Sequence, residues 1–180
     1  SGGETVKKTV VGLTGQSGAG KTTISDAFRE NGFEIINCDI VAREVTQAGN
    51  ECCKELAKLF PSCFDENYSL DRQKLGEIVF SDKNKLQMLN DTIYPFINKL
   101  VDEKINAAPS RFILLDAPTL FEAGADKLCS VIVSVVADFG IRLERITKRD
   151  GISAELAEKR FSSQHTMEFF KAHSDFVIEN

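Results

Sequence analysis

Residues 12–23 read GLTGQSGAGKTT, which places four glycines, a lysine and three threonines in twelve positions. Val10, Val11 and Leu13 precede the glycines, and Ile24, Ala27 and Phe28 follow at helical spacing, so the glycines fall at a strand-to-helix turn. Gly15-Gln16-Ser17-Gly18-Ala19-Gly20-Lys21-Thr22 fits the phosphate-binding pattern GxxxxGK followed by Ser or Thr. Glycines permit the positive φ values that turn successive N–H groups inward at a helix N-terminus, where the dipole also favours anions. A polyphosphate is the natural occupant. Lys21 would neutralise its β- and γ-phosphates, and the Thr22 hydroxyl would ligate the Mg²⁺ that accompanies a nucleoside triphosphate. A flexible glycine turn is the alternative, but a chance match in a chain of this length is only on the order of one per cent.

Other side chains are placed to serve the same chemistry. FILLDAP puts Asp116 at the end of an apolar run, where a strand's C-terminal edge would face the nucleotide and its metal. IINCD puts Asp39 at the corresponding end of another strand, in the same expected crevice. There Asp39 could accept the proton of an attacking hydroxyl, hold metal-bound water, or cap a helix. Arg142, Arg145 and Arg149 stand at i, i+3 and i+7, within about a 60° arc of a helix. They suggest an anion clamp closing over phosphates, the alternative being a solvated face laced with Glu144.

These residues need a scaffold that brings strand ends together. Strand-like runs at 9–13, 33–37, 112–115, 131–136 and 176–178 alternate with helical patterns, which predicts an α/β fold with a parallel sheet covered on both faces. The first crossover is short, 21–31, with Gly32 expected at the helix C-cap. Between Asp39 and Ser110 there are only helical patterns and turn signals, read as a helical insertion large enough to hold a second substrate. Segment 138–164 reads as two helices divided by RDGIS, with Gly151 ending one and Ser153 capping the next, a candidate lid.

Composition sets outer bounds. At 180 residues, 42% apolar and 27% charged, the chain is expected to form one globular unit. A net charge of -5 argues against broad contact with nucleic acid or anionic lipid. No apolar run approaches the roughly 20 residues that span a bilayer, and a cytoplasmic setting is expected. Ser1-Gly2-Gly3 reads as an expression remnant and is left out of the fold reasoning. Cys38, Cys52, Cys53, Cys63 and Cys129 include no CxxC pair, so reduced and mostly buried thiols are expected.

Over residues 9–180, the motifs GLTGQSGAGKTT, CDIVAREV, LDRQKL, YPFI, DAPTLFE, RLERITKRDGIS and DFVIEN resemble, in order and spacing, those of the dephospho-coenzyme A kinase family. The resemblance implies a P-loop fold like that of nucleoside-monophosphate kinases, with a five-stranded parallel sheet and helices on both faces. Its core would be 9–39, 110–138 and 175–180, with a helical insertion at 40–109 for the coenzyme A precursor and a lid at 139–165. It further implies ATP on Gly15, Gly18, Ala19, Gly20, Lys21, Thr22 and Thr23, and Mg²⁺ on Thr22, Asp39 and Asp116. Asp39 becomes the candidate base for the ribose 3'-hydroxyl of dephospho-coenzyme A, while Arg43, Asp116 and Pro118 help hold that acceptor. Lys21, with Arg145 and Arg149 from the lid, would complete the catalytic set. No obligate protein partner is implied.

The chain departs from the family pattern at Asn37, Tyr94 and Thr119. Asn37 stands where an aspartate is frequent and leaves Asp39 as the only carboxylate in its turn. Rival readings are a small-molecule kinase with another acceptor, a nucleotide switch, and a P-loop protein without catalysis. The switch lacks its sensing elements, since no DxxG follows the Asp116 run and no NKxD occurs.

Overall fold

The structure is a computed structural model that describes residues 7–180, so Ser1-Gly2-Gly3 lies outside the described residues. The chain divides into two compact units, one made of residues 7–36 with Ala108–Asn180 and the other of Asn37–Ala107.

The first unit is built on a five-stranded parallel sheet. Strands β1 (Thr9–Gly15), β2 (Glu34–Asn37), β3 (Phe112–Asp116), β4 (Val131–Val136) and β5 (Phe176–Glu179) lie in the order β2-β3-β1-β4-β5. The central strand β1 runs parallel to β3, with Leu13 opposite Asp116, and to β4, with Gly15 opposite Val135. This register brings the glycine-rich turn and the end of FILLD to the same edge of the sheet. Side chains alternate between faces along a strand. Val11, Leu13, Leu114, Val133 and Val135 form a buried layer covered by Ile24 and Phe28 of helix α1 (Lys21–Glu30). On the opposite face Gly12 lies against Leu120 and Cys129; α8 (Met167–His173), whose Phe170 is buried, packs on β4.

The sequence limits of the strands needed small revision. β2 begins at Glu34, the Phe33 N–H being engaged instead by Phe28 O of α1 at 3.1 Å. Helix α1 is capped by Asn31, with Gly32 following at φ +86°. Helices α6 (Phe139–Asp150) and α7 (Ala154–Ser162) meet at Gly151, and the Ser153 hydroxyl accepts the Leu156 N–H, as the RDGIS signal predicts.

The second unit is helical, with α2 (Cys38–Val45), α3 (Glu51–Leu59), α4 (Arg72–Phe80) and the long α5 (Lys83–Ala107). Helices α2, α3 and α4 all pack on α5, whose Ile97, Val101 and Ile105 recur at four-residue spacing and are buried. Cys52, Cys53 and Cys63 are buried free thiols. Burial pushes the Cys52 thiol up to about 11, so it behaves as a small apolar side chain rather than a nucleophile. Among the described residues, no helix is long and apolar enough to cross a membrane.

Candidate active site

The glycine-rich turn leaves β1 with Gly15, Gly18 and Gly20 at φ +147°, +77° and +96°. Gly20 is the left-handed N-cap of α1 and brings no side-chain acceptor to the helix's first N–H groups. Those groups and the positive dipole end therefore suit an anionic ligand. The loop is anchored underneath by β4: Gln16 N–H donates to Val135 O at 3.0 Å, and the Gln16 Oε1 accepts the Ala137 N–H at 3.3 Å.

Gly15 permits that anchorage. A Cβ there would lie 2.1 Å from Val135 O, and its φ is one that L side chains rarely adopt. Gly15→Ala is expected to cost about 3 kcal/mol or more of folding stability. A urea midpoint unchanged from wild type would contradict the close approach.

Lys21 Nζ donates to Asp116 Oδ1, joining the first residue of α1 to the last of β3. Asp116 is buried, and Lys21 is its ion-pair partner at the sheet edge. The next turn is also fixed: Ala117 N–H donates to Leu13 O at 3.0 Å, and the Thr14 hydroxyl donates to Pro118 O at 3.3 Å. Pro118 itself is exposed, as are Thr22 and Thr23 on α1. Lys21, Thr22, Asp116 and Pro118 thus gather where β1 and β3 end.

Asp39 and Arg43 belong to the helical unit, both exposed on α2. Asn37 Oδ1 accepts the N–H groups of Asp39 and Ile40, at 2.9 and 3.2 Å. The helix is therefore capped by Asn37, not by Asp39, and the Asp39 carboxylate is not spent as the cap. The capping geometry suits an asparagine as well as the aspartate frequent in the family.

Helices α6 and α7 give different surroundings to three arginines that sequence spacing had placed on one face. Arg142 is buried, donates from Nε to Ser17 O at 3.0 Å, and lays its guanidinium over the Phe161 ring at 4.1 Å. Its burial pulls its pKa below the ordinary guanidinium value. It anchors α6 to the glycine loop and to α7 instead of lining an exposed clamp. Arg145 is exposed and donates to Gly18 O at 3.1 Å. Arg149 pairs with Asp150 at 2.9 Å, and Asp150 also takes Arg160 at 2.6 Å.

Hydrogen bonds from Arg149 and Arg160 hold the Asp150 carboxyl down at about 2, from an ordinary 3.8. A depressed carboxylate contributes stability above its ordinary range and loses it as the pH falls through the folded value. Acid unfolding of wild type is expected to show a loss between about pH 4 and pH 2 that Asp150→Asn does not show. Identical acid limbs for the two proteins would remove Asp150 as the junction's charge centre.

Sequence reasoning missed Gln164. Its Oε1 accepts the Ser17 N–H at 3.3 Å, and its Nε2 donates to the Ser17 hydroxyl at 2.6 Å. The neighbouring His165 pairs with Glu122 of DAPTLFE at 2.8 Å and stacks on Phe169 at 3.6 Å, which fixes the segment carrying Gln164. A glutamine just past a helix end carries no local signal for such a contact.

A glycine loop with a paired lysine and aspartate is common to many phosphotransferases, so family membership rests on the whole chain. The family model described as dephospho-CoA kinase matches residues 9–180. The chain belongs to the dephospho-CoA kinase family. It is 37% identical over 171 residues to the dephospho-CoA kinase of Fusobacterium nucleatum, covering 95% of this chain and 89% of that one. The rice dephospho-CoA kinase is 37% identical over 175 residues, covering 95% of this chain and 76% of that one. Among solved structures, TT1252 from Thermus thermophilus superposes with a TM-score of 0.84 at 28% identity, covering 97% of this chain and 89% of that one. The dephospho-CoA kinase from Campylobacter jejuni gives 0.67 at 27% identity, covering 96% and 88%. This dephospho-CoA kinase family member is accordingly a kinase with ATP as its co-substrate, and the family carries out the final step of coenzyme A biosynthesis.

Proposed function

We propose that this chain transfers the γ-phosphoryl group of ATP to the ribose 3'-hydroxyl of dephospho-coenzyme A, giving coenzyme A and ADP. The observation that carries the reading is the Lys21–Asp116 pair at the strand edge beside the glycine loop, within a chain matched to the family over residues 9–180.

ATP lies on Gly15, Gly18, Ala19, Gly20, Lys21, Thr22 and Thr23, where the left-handed glycines and the α1 dipole favour its phosphates. Lys21 then exchanges the Asp116 oxygen for phosphate oxygens. This frees the Asp116 carboxylate at the same edge. Asp39 accepts the proton of the 3'-hydroxyl, and Arg43 and Pro118, with Asp116, hold the acceptor. Arg145 and Arg149 supply charge from the lid. Arg149 must leave Asp150 to do so, and Arg145 already lies at the loop through Gly18 O. Because phosphoryl transfer asks for little covalent chemistry from the protein, alignment and charge neutralisation supply most of the acceleration.

Thr22 and Asp116 offer hard oxygen donors suited to Mg²⁺ at one edge of the sheet, and Asp39 is the further carboxylate assigned to the ion in this reading. Bound there, the ion would neutralise charge on the β- and γ-oxygens. A net charge of -5 weighs against broad contact with nucleic acid or anionic lipid, so the proposed partners are the two substrates and the proposed setting is the cytoplasm.

The test is the position of the new phosphate. Proton–phosphorus correlation of the product is expected to place it on the ribose 3'-oxygen. A phosphate on the 2'-oxygen or on the pantetheine end would overturn the assignment.

A further inference from the structure

Three successive carbonyls of the glycine loop are each met by a side-chain donor from outside it. Arg142 Nε reaches Ser17 O at 3.0 Å, Arg145 Nη1 reaches Gly18 O at 3.1 Å, and Asn180 Nδ2 reaches Ala19 O at 2.9 Å. Asn180 follows β5 directly, and its own N–H donates to Val136 O at 2.9 Å, so the sheet fixes where its amide lies. The fit is close: a Cβ at Gly20 would stand 2.4 Å from Asn180 Nδ2.

A peptide unit is planar and trans, so holding the carbonyl of one residue sets the direction of the next residue's N–H. Fixing Ala19 O therefore orients the Gly20 N–H, the amide immediately before Lys21 and the start of α1. Backbone N–H groups at this place in such a loop cradle phosphates.

We propose that Asn180 is a positioning residue for the phosphate site: it touches no phosphate and instead presets the Ala19–Gly20 peptide so that its amide already points at the polyphosphate. Glycines give the loop its shape but leave it many conformations, and ordering them on binding would weaken affinity. A donor held by the far edge of the sheet removes that cost in advance. The inference rests on the reading that this loop holds the polyphosphate of ATP.

Titration calorimetry of the full chain with ADP and, separately, with inorganic tripolyphosphate tests it in wild type, Asn180→Ala and Asn180→Asp, the last keeping the shape without the donor. In Asn180→Ala, Kd is expected to rise about three- to tenfold for both ligands, the range of one neutral hydrogen bond. Asn180→Asp should lose at least as much, and melting temperatures without ligand should stay within about 2 °C of wild type. An unchanged Kd, including one accompanied by a lowered melting temperature, overturns the inference and leaves Asn180 a structural contact. Loss for ADP with tripolyphosphate unaffected also overturns it, because the side chain would then be serving the nucleoside. If wild type binds neither ligand, the nucleotide reading itself fails and takes the inference with it.

Discussion

Lys21→Ala is expected to lower turnover by about 10³-fold or more and also to lower the melting temperature, because a buried carboxylate loses its ion pair. Removing one preorganised donor aimed at developing charge costs on the order of 10²- to 10³-fold in rate. Lys21 carries a full charge, and it stands on the first turn of α1 beside the loop. Its partner Asp116 is buried at the end of β3, so the substitution also leaves that carboxylate without its ion pair. Part of the loss should therefore appear as weaker nucleotide binding, since an uncompensated negative charge would remain where phosphates arrive. Lys21→Ala with Asp116→Asn is expected to recover affinity relative to Lys21→Ala alone, without recovering turnover. Steady-state rates with ATP and dephospho-coenzyme A, together with ADP titrations, check both parts. Turnover within tenfold of wild type in Lys21→Ala would remove Lys21 from the transition state.

Asp39→Asn is expected to keep ATP affinity and lose about 10²- to 10⁴-fold in turnover, the range of a general base. Asp39 is exposed on the first turn of α2, and Asn37 has taken over the capping of that helix. The substitution should therefore leave α2 intact. Replacing Asn37 with Ala is the informative contrast, because it removes the cap, at about 1 kcal/mol, and leaves the carboxylate in place. If Asp39→Asn turns over at the wild-type rate while Asn37→Ala does not, the carboxylate is not the base and helix geometry alone matters.

Much of this architecture can be read from the sequence because it is written in local periodicity. The runs at 131–136 and 112–115 are short, apolar and rich in branched side chains, and both became strands, the second extended to Asp116. Gly151 and Ser153 punctuate the junction of α6 and α7 as their backbone preferences require. The glycine pattern was legible for a similar reason, since positive φ values are a local demand.

What escaped was tertiary. Spacing alone set Arg142 beside Arg145 and Arg149, yet Phe161 of α7 covers Arg142, and Asp150, which also takes Arg160, engages Arg149. No window along the chain reveals which side of a helix another helix will cover. Gln164 and Asn180 likewise reach loop residues more than a hundred positions earlier. The limits of helix α8 are not legible in the sequence for a different reason. Thr166, whose hydroxyl accepts the Phe169 N–H, is a proper helix start, with Glu168 in the first turn, but the helix has only 7 residues and too short a pattern to stand out. The division of the insertion into α2–α5 around a central α5 also depended on packing between helices rather than on the pattern within any one of them.

The most direct measurement is ADP release by this chain with ATP and Mg²⁺ in the presence of dephospho-coenzyme A, beside parallel reactions offering AMP, CMP, gluconate or no acceptor. The account predicts rapid release with dephospho-coenzyme A and only background release with the others. Release driven by another acceptor, or equal with and without any acceptor, would contradict it.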